Sequence, residues 1–117
     1  MTPEETVKFA EEAHASLDIE RMLACFDPEA VVYWNGEQVA SGMDELRAFY
    51  QAQFGNVVEF TLKKTLRAAT GDTIAVEWTH TRVDTEGDKY EAVAGEFWKM
   101  KDDKLIEWHA YCIESKV

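Results

Sequence analysis

The segment EFWKMKDDKLIEWHAY, residues 96–111, decides how the rest of the chain is interpreted. Two apolar stretches with alternating polar residues flank the polar run KDD at residues 101–103. Alternation on both sides of a short polar run is typical of two antiparallel strands joined by a tight turn. The segment therefore predicts a β-hairpin near the end of the sequence.

The hairpin is the last part of a strand-rich half that begins at Val57. Strand-like segments are predicted at 57–69, 73–84, 89–101 and 104–115, and no helical period survives among them. The runs TGD, TEGD and KDD separate the segments, and their composition is that of tight turns. This half is therefore predicted to be a four-stranded antiparallel meander.

The first half carries helical patterns instead. TPEE, residues 2–5, is a helix start in which Thr2 and Glu5 can form a capping box. Residues at helical spacing then follow at Val7, Ala10, Ala13, His14 and Leu17. A second short helix is predicted within LDIERMLACFDPEA, residues 17–30, with Asp18 as its N-cap. Its apolar face would consist of Ile19, Met22, Leu23 and Phe26.

A strand, a turn and a third helix complete this half. AVVYW, residues 30–34, is predicted as a short strand, and Asn35-Gly36 is a strong hairpin-turn signal. A third helix is predicted within SGMDELRAFYQAQF, residues 41–54, with Ser41 and Asp44 as candidate caps. Helices segregated from an antiparallel sheet predict an α+β domain.

Length and charge exclude several classes of protein. The 117 residues, 46% of them hydrophobic, are predicted to form one domain, 1–117. The 23 acidic and 12 basic residues give a net charge of −11, a surface that repels nucleic acid and anionic membranes. No apolar run approaches the roughly 18 residues of a membrane helix. The acidic N-terminal segment is not a signal or transit peptide, so the cytoplasm is the expected compartment.

Cys25 and Cys112 lie in apolar surroundings without CxxC spacing. Buried free thiols are predicted, with a disulfide or a metal pair as the alternative.

The order of elements resembles the cone-shaped, cystatin-like fold of the nuclear transport factor 2 superfamily, in which a curved antiparallel sheet wraps around N-terminal helices. The residues that carry the resemblance are the Phe-Asp-x-x-Ala turn at 26–30, Gly42 before the third helix, and the hairpin DDKLIEWHAY at 102–111. The superfamily includes SnoaL-like polyketide cyclases, ketosteroid isomerase, limonene-epoxide hydrolase and scytalone dehydratase. The resemblance implies a single SnoaL-like domain with a pocket, but not one function, because this fold hosts enzymes, binding modules and oligomerisation domains.

The resemblance disfavours a steroid isomerase. Ketosteroid isomerases use an Asp base on the first strand, where Trp34 stands here. Ala10 and Gly95 occupy the positions of that family's oxyanion-hole Tyr and Asp.

Half of another family's motif is present. Tyr33 and Asn35 match the Tyr-x-Asn with which limonene-epoxide hydrolases hold water. The Arg-x-Asp pair of that family falls at Glu77 and Thr79, and its final Asp has no counterpart. The tripeptide RVD at 82–84 is interpreted as a coincidence at a hairpin end.

The resemblance also implies which residues face into the pocket. The polar ones are His14, Tyr33, Asn35, Glu77, Thr79 and Thr81. The surrounding ones are Ala10, Phe49, Val93, Phe97, Trp108 and Cys112. His14 and Glu77 would be the acid/base pair, and Tyr33 and Asn35 would orient a substrate oxygen or a water. Each of these polar residues also has a purely structural interpretation, as a core, rim or turn residue.

Strand alternation leaves the orientation of Glu77 open. Ile74, Val76 and Trp78 form the bulkier apolar set, which favours burial of that set instead. The outer face of this fold usually pairs with a second subunit, so both faces can be apolar, and we predict that Glu77 faces inward.

The other strand face would then form a homodimer surface, because it is too aromatic for a free solvent face. Its members are Trp78, His80, Arg82, Tyr90, Glu96, Trp98, His109 and Tyr111. A zinc site from His80, His109 and Glu96 has no supporting ligand spacing, and no metal is predicted.

Two functions remain open. One is an acid/base enzyme of the isomerase, dehydratase, cyclase or hydrolase type, acting without a cofactor on a small apolar organic substrate. The alternative is a non-catalytic ligand-binding or dimerisation module of the same fold.

Overall fold

The computed structural model describes all 117 residues. The helices are α1 (Pro3–Ala15), α2 (Ile19–Leu23) and α3 (Met43–Phe54). The strands are β1 (Phe26–Trp34), β2 (Glu37–Ser41), β3 (Val57–Thr70), β4 (Thr73–Asp84), β5 (Lys89–Lys101) and β6 (Lys104–Lys116). The α+β class and the four long strands of the second half are as predicted. No helix is both long enough and apolar enough to cross a bilayer.

All six strands form one curved sheet in the order β2-β1-β6-β5-β4-β3. The last four strands are the predicted antiparallel meander. One pair departs from the antiparallel prediction, because β1 runs parallel to β6 with Val32 opposite Trp108. In the chain, β1 is followed by β2, α3 and the first three strands of the meander. The last strand, β6, then lies beside β1 and runs in the same direction.

Local side chains start the first two helices as predicted. The Thr2 hydroxyl accepts the Glu5 N–H at 3.1 Å, and the Glu5 carboxylate accepts the Thr2 N–H at 2.9 Å. The Asp18 carboxylate accepts the Glu20 N–H at 3.0 Å. These contacts occupy backbone donors that a helix start leaves without partners.

The predicted caps of α3 were wrong. Gly42 is the N-cap, with φ of 84°, and no side chain accepts a hydrogen bond from the helix start. The Glu45 carboxylate instead accepts the Ser41 N–H at 3.0 Å. The positive φ that the chain needs here suits glycine and disfavours Ser or Asp.

Phe26 belongs to β1 and not to α2 as predicted. The helix ends after Leu23, and Phe26 pairs with Leu105 of β6. The Cys25 carbonyl accepts the Leu105 N–H at 2.9 Å, so the strand pairing begins directly after the helix. Both cysteines are free, as predicted, but only Cys25 is buried, and Cys112 is partly exposed.

The core lies between the concave face of the sheet and the helices. Its most deeply buried side chains include Met22, Val32, Leu46, Tyr50 and Trp98. Helix α1 lies over β3, and α3 lies over β1 and β2. One end of the concave side is left open, and this end contains the cavity described below.

The predicted orientation of β4 was wrong. Ile74, Val76 and Trp78 are buried on the concave face, whereas Glu77 is exposed on the convex face. Arg67 donates to the Glu77 carboxylate at 2.7 Å, out in solvent. The bulkier apolar set faces the helices because its burial removes more apolar surface from water.

Candidate functional site

The open end of the concave face contains a cavity of about 370 Å³, a volume ordinary for small-molecule sites. Its aromatic lining consists of Trp34, Phe49, Tyr50, Phe54, Phe60, Trp78 and Trp108. The polar lining includes His14, Asn35, Gln53, Lys64, His80, Arg82 and Glu114. Flat rings on several sides favour a planar, largely apolar ligand.

One wall is built where β1 meets α3. Trp34 lies edge-on to Trp108 with ring centroids 5.6 Å apart, and its ring is 5.9 Å from that of Phe49. Tyr33 points to the convex side, where it stacks on His109 at 4.5 Å. The residue at the position of the isomerase base is therefore part of the cavity wall, and Tyr33 lies outside it.

Asn35 lines the cavity as predicted, whereas Tyr33, which was predicted to face the same pocket, does not. It has a φ of 51° and begins the turn, so strand alternation ends before it. Its amide donates to the Cys112 carbonyl at 3.2 Å and accepts the Cys112 N–H at 2.8 Å. Asn35 thus ties the turn to β6.

His14 is buried and both of its ring nitrogens have partners. Nδ1 lies 2.7 Å from the Ala10 carbonyl, which can only accept, so Nδ1 carries the hydrogen. Nε2 then accepts the Tyr50 hydroxyl hydrogen at 2.6 Å. Burial, with a smaller contribution from Lys64, lowers the pKa of His14 to about 4. At neutral pH this histidine is uncharged and has no free lone pair.

His80, Arg82 and Glu114 form a second polar group in the cavity. Nε2 of His80 lies 2.8 Å from the Glu114 carboxylate. Arg82 donates to the same carboxylate from Nε at 2.9 Å and from Nη2 at 2.6 Å. The His80 ring stacks on Trp78 at 4.9 Å and lies 5.2 Å from Phe60. Aromatic contacts and hydrogen bonds together fix the imidazole.

The protonation states in this group follow from its contacts. The hydrogen bond from Arg82 lowers the pKa of Glu114, so the carboxylate is ionised and can only accept. Burial lowers the pKa of His80, so the ring is neutral at pH 7 with its hydrogen on Nε2. Nδ1 of His80 makes no hydrogen bond, and no buried polar side-chain atom lacks a partner. This nitrogen is therefore not fully buried, and its lone pair has no partner within the protein.

A buried carboxylate forms the floor beneath the cavity. Glu96 has no exposed side-chain surface, and one oxygen accepts from Lys64 Nζ at 2.7 Å and from Trp98 Nε1 at 2.9 Å. The other oxygen accepts from Trp78 Nε1 at 2.7 Å and from Trp108 Nε1 at 2.9 Å. Four donors from four strands thus satisfy one charge, as a buried carboxylate requires.

The family model for the SnoaL-like domain matches residues 7–108. The chain belongs to the SnoaL-like family. A comparison with curated protein sequences gives no match.

Solved structures share the fold of this SnoaL-like domain. A proposed polyketide cyclase from Pseudomonas putida KT2440 is 22% identical, with a TM-score of 0.81 over 95% of this chain and 91% of that one. SalBIII, an epoxide hydrolase/cyclase-like enzyme of pyran ring formation in salinomycin, is 15% identical, with a TM-score of 0.84 over 98% and 95%. A Catenulispora acidiphila protein of ketosteroid isomerase-like fold, bound to trimethylamine, is 11% identical, with a TM-score of 0.78 over 92% and 84%. These similarities confirm the predicted fold.

The SnoaL-like domain brings together only part of the predicted site. The predicted residues that line the cavity are His14, Asn35, Phe49, Trp108 and Cys112. Ala10 is buried in the core, where its carbonyl holds His14. The residues on the convex face are Tyr33, Glu77, Thr79, Thr81, Val93 and Phe97. The predicted pair of His14 and Glu77 is absent, because the two side chains lie on opposite faces of the sheet.

The predicted dimer surface mixed two faces. Alternation in β4 and β5 places Trp78, His80, Tyr90 and Trp98 on the concave side. Of the predicted dimer residues, only His109 and Tyr111 lie on the convex side. His80 and His109 are therefore separated by the sheet and cannot share a metal ion.

Strand alternation in the sequence indicates the orientation of His80 and Arg82, two cavity residues that were not predicted. The alternation that buries Ile74, Val76 and Trp78 continues through both residues. Arg82 of the RVD tripeptide lines the cavity, whereas Asp84 accepts the Glu86 N–H at 2.9 Å within the turn. Glu96 and Glu114 gave no local signal, because all of their partners except Trp98 come from other strands.

Proposed function

We propose that this SnoaL-like domain is an acid/base enzyme in which His80 removes a proton from a small, planar, mostly apolar substrate. The observation that carries the proposal is the unpaired Nδ1 of His80, whose other nitrogen donates to an ionised carboxylate 2.8 Å away. An imidazole that lines an aromatic cavity, is held in place by its neighbours and keeps one nitrogen unpaired has the properties that a general base requires. No step of this chemistry calls for a cofactor.

The proton transfer can be followed atom by atom. His80 Nδ1 takes a proton from the substrate, and the electron pair of the broken bond stays on the substrate. The imidazole becomes a cation, which the Glu114 carboxylate stabilises at 2.8 Å. Arg82 holds that carboxylate with two hydrogen bonds and is a positioning residue. Return of the proton to another carbon atom completes an isomerisation. In a dehydration the electron pair expels a hydroxyl group, which takes the proton from His80 and leaves as water. In a cyclisation the electron pair attacks a carbonyl carbon of the same molecule, and the carbonyl oxygen takes the proton from His80.

The His14–Tyr50 pair has a different role in this proposal. Both histidine nitrogens are engaged, and burial raises the pKa of Tyr50 well above its usual value. The pair therefore neither takes nor gives a proton readily at neutral pH. It closes the cavity between α1 and α3 without leaving a buried polar group unpaired.

A base-catalysed ring opening tests the proposal. In 5-nitrobenzisoxazole, a flat aromatic C–H acid, removal of the ring proton forms a nitrile, breaks the N–O bond and releases a coloured phenolate. The domain should catalyse this reaction, and His80→Ala should lower kcat/KM by about a hundredfold or more. His109→Ala, which removes a histidine from the convex face, is the matched control. An unchanged rate in His80→Ala would refute the assignment and leave the ligand-binding module as the better interpretation.

We also propose that the domain forms a homodimer through its convex face. The supporting observation is a group of large apolar side chains on β5 and β6 with more than half of their surface exposed. They are Val93 at 56%, Phe97 at 51%, Tyr111 at 51% and Ile113 at 73%. Light scattering should give twice the 13.4 kDa chain mass, and Phe97→Asp should give a monomer. A wild-type monomer would contradict the proposal. The cytoplasmic location stays a prediction.

A further inference from the structure

Lys64 places a buried cation at the cavity. Its side chain is 4% exposed, yet it contributes to the cavity lining. Its ammonium has three N–H groups, and its one recorded acceptor is the Glu96 carboxylate at 2.7 Å. The rings of Trp78 and Trp98 each lie with their centroids 5.5 Å from Nζ. Two N–H groups therefore have no oxygen partner within the protein, although the side chain is only 4% exposed.

The positive charge of Lys64 lowers the pKa of both histidines that line the cavity. After burial, it is the next largest cause that lowers the pKa of His14, and it also contributes to lowering that of His80. The Glu96 carboxylate acts in the opposite direction on His14, but it is a smaller cause there than Lys64. The effect of the cation is therefore the larger of the two, and it favours negative charge beside the histidines. Low-dielectric surroundings strengthen this effect relative to water.

The other polar groups of the cavity are engaged or more exposed. The Tyr50 hydroxyl donates to His14, and the Asn35 amide is paired with the Cys112 backbone. Arg82 uses two donors on Glu114, and its side chain is 21% exposed. Lys64 is thus the donor that combines deep burial with unused N–H groups.

We infer that Lys64 Nζ binds an oxygen atom of the substrate and stabilises negative charge on it, with Glu96 and three indole N–H groups holding the ammonium in place. This inference deepens the proposed function, because the electron pair released when His80 takes a proton would delocalise onto that oxygen. The substrate class that fits is a planar ring compound with a phenolic, enolic or ketonic oxygen. Lys64 is the oxyanion-binding residue, and Glu96 is a positioning residue.

Binding of 4-nitrophenol tests the inference without any turnover, since its phenol and phenolate forms differ in absorbance. An apolar cavity without a cation would raise the pKa of the bound phenol, because burial disfavours the charged form. The Lys64 ammonium should outweigh this effect of burial, so the wild-type domain should bind the phenolate about tenfold more tightly than the phenol. This preference lowers the pKa of the bound phenol by about one unit. The overall charge of the protein cannot produce a preference for the phenolate anion, because the net charge of the chain is −11.

Two lysine variants complete the experiment. Lys64→Met should abolish the preference for phenolate, whereas Lys63→Met, which removes the same charge from the neighbouring exposed position on the convex face, should retain it. A raised pKa in the wild-type complex, an unchanged preference in Lys64→Met, or no binding at millimolar concentration would each overturn the inference. If Lys64→Met does not fold, a crystal structure of the wild-type complex decides, since a phenolate oxygen away from Nζ contradicts the proposal.

The outcomes separate this inference from the proposed function. His80→Ala should keep the phenolate preference while losing the ring-opening activity. Loss of activity only in His80→Ala, with a raised phenol pKa in the wild type, would refute Lys64 and keep the base. A lowered phenol pKa with full activity in His80→Ala would refute the base and keep Lys64.

Discussion

The Glu114 carboxylate accepts from His80 Nε2 at 2.8 Å on one oxygen, and Arg82 donates to both of its oxygens. Arg82 therefore fixes the position of the carboxylate. Because the carboxylate can only accept, it determines that Nε2 of His80 carries the hydrogen. This contact joins β4 to β6 across the intervening β5. The orientation of the His80 ring is therefore set by two strands of the sheet.

Glu114→Gln should slow proton transfer more than it weakens binding. The amide can still accept from His80, but it removes the charge that stabilises the imidazolium formed in the transition state. We expect kcat for 5-nitrobenzisoxazole to fall about tenfold to a hundredfold, with KM nearly unchanged. Glu107→Gln is the matched control, because Glu107 pairs with His109 at 2.5 Å on the convex face. Equal effects of the two substitutions would contradict the assignment.

The rate should depend on the protonation of His80. Burial lowers its pKa below the ordinary 6.5, so the ring-opening rate should rise through acidic pH and be level above neutrality. The hydrogen bond to Glu114 opposes that shift, so Glu114→Gln should move the inflection to still lower pH. A pH–rate profile measures the inflection, and NMR titration of the imidazole gives an independent value. An inflection above 6.5 would contradict the burial argument.

His14 should make the fold sensitive to acid. Its folded pKa of about 4 lies below the unfolded value of 6.5, so the unfolded chain binds the proton first as pH falls. Stability from the neutral, buried ring is complete above 6.5, declines between 6.5 and 4, and has been lost below 4. The decline amounts to about 3 kcal/mol. Denaturant unfolding at several pH values measures it, and His14→Gln should remove that part of the pH dependence. The same slope in both proteins would contradict the assignment.

The features that the sequence predicted well depend on neighbouring residues. The capping box of Thr2 and Glu5 needs only four residues, and the runs TGD, TEGD and KDD mark their turns by composition. The lengths of the four long strands were predicted correctly because apolar and polar residues alternate over the whole distance between the turns.

The orientation of side chains could not be settled locally. In β4, both alternating sets contain bulky or polar residues, and the choice depends on which face the helices cover. At Asn35, a positive φ ends the strand alternation, so Tyr33 and Asn35 do not face the same pocket although both were predicted to. Glu96 looks like a surface residue in sequence, because its four partners come from β3, β4, β5 and β6. Such sites depend on long-range contacts that one sequence does not show.

The last prediction compares two Glu→Gln substitutions on neighbouring strands. At Glu96, glutamine would leave the Lys64 ammonium without its counterion, and its NH₂ group would face indole N–H donors where the carboxylate now accepts. Removing one partner of a buried ion pair costs about 3–5 kcal/mol, so we expect a loss of that size in the free energy of unfolding.

Glu77→Gln is the matched control, since Glu77 pairs with Arg67 on the exposed face and side chains of both are more than half exposed. An exposed pair contributes about 0–1 kcal/mol, so this variant should unfold almost as the wild type does. Denaturant titration followed by tryptophan fluorescence compares the two proteins, and the emission of Glu96→Gln should also shift, because three indole hydrogen bonds change. Similar stability losses at both positions would show that the four donors do not stabilise the Glu96 carboxylate as inferred.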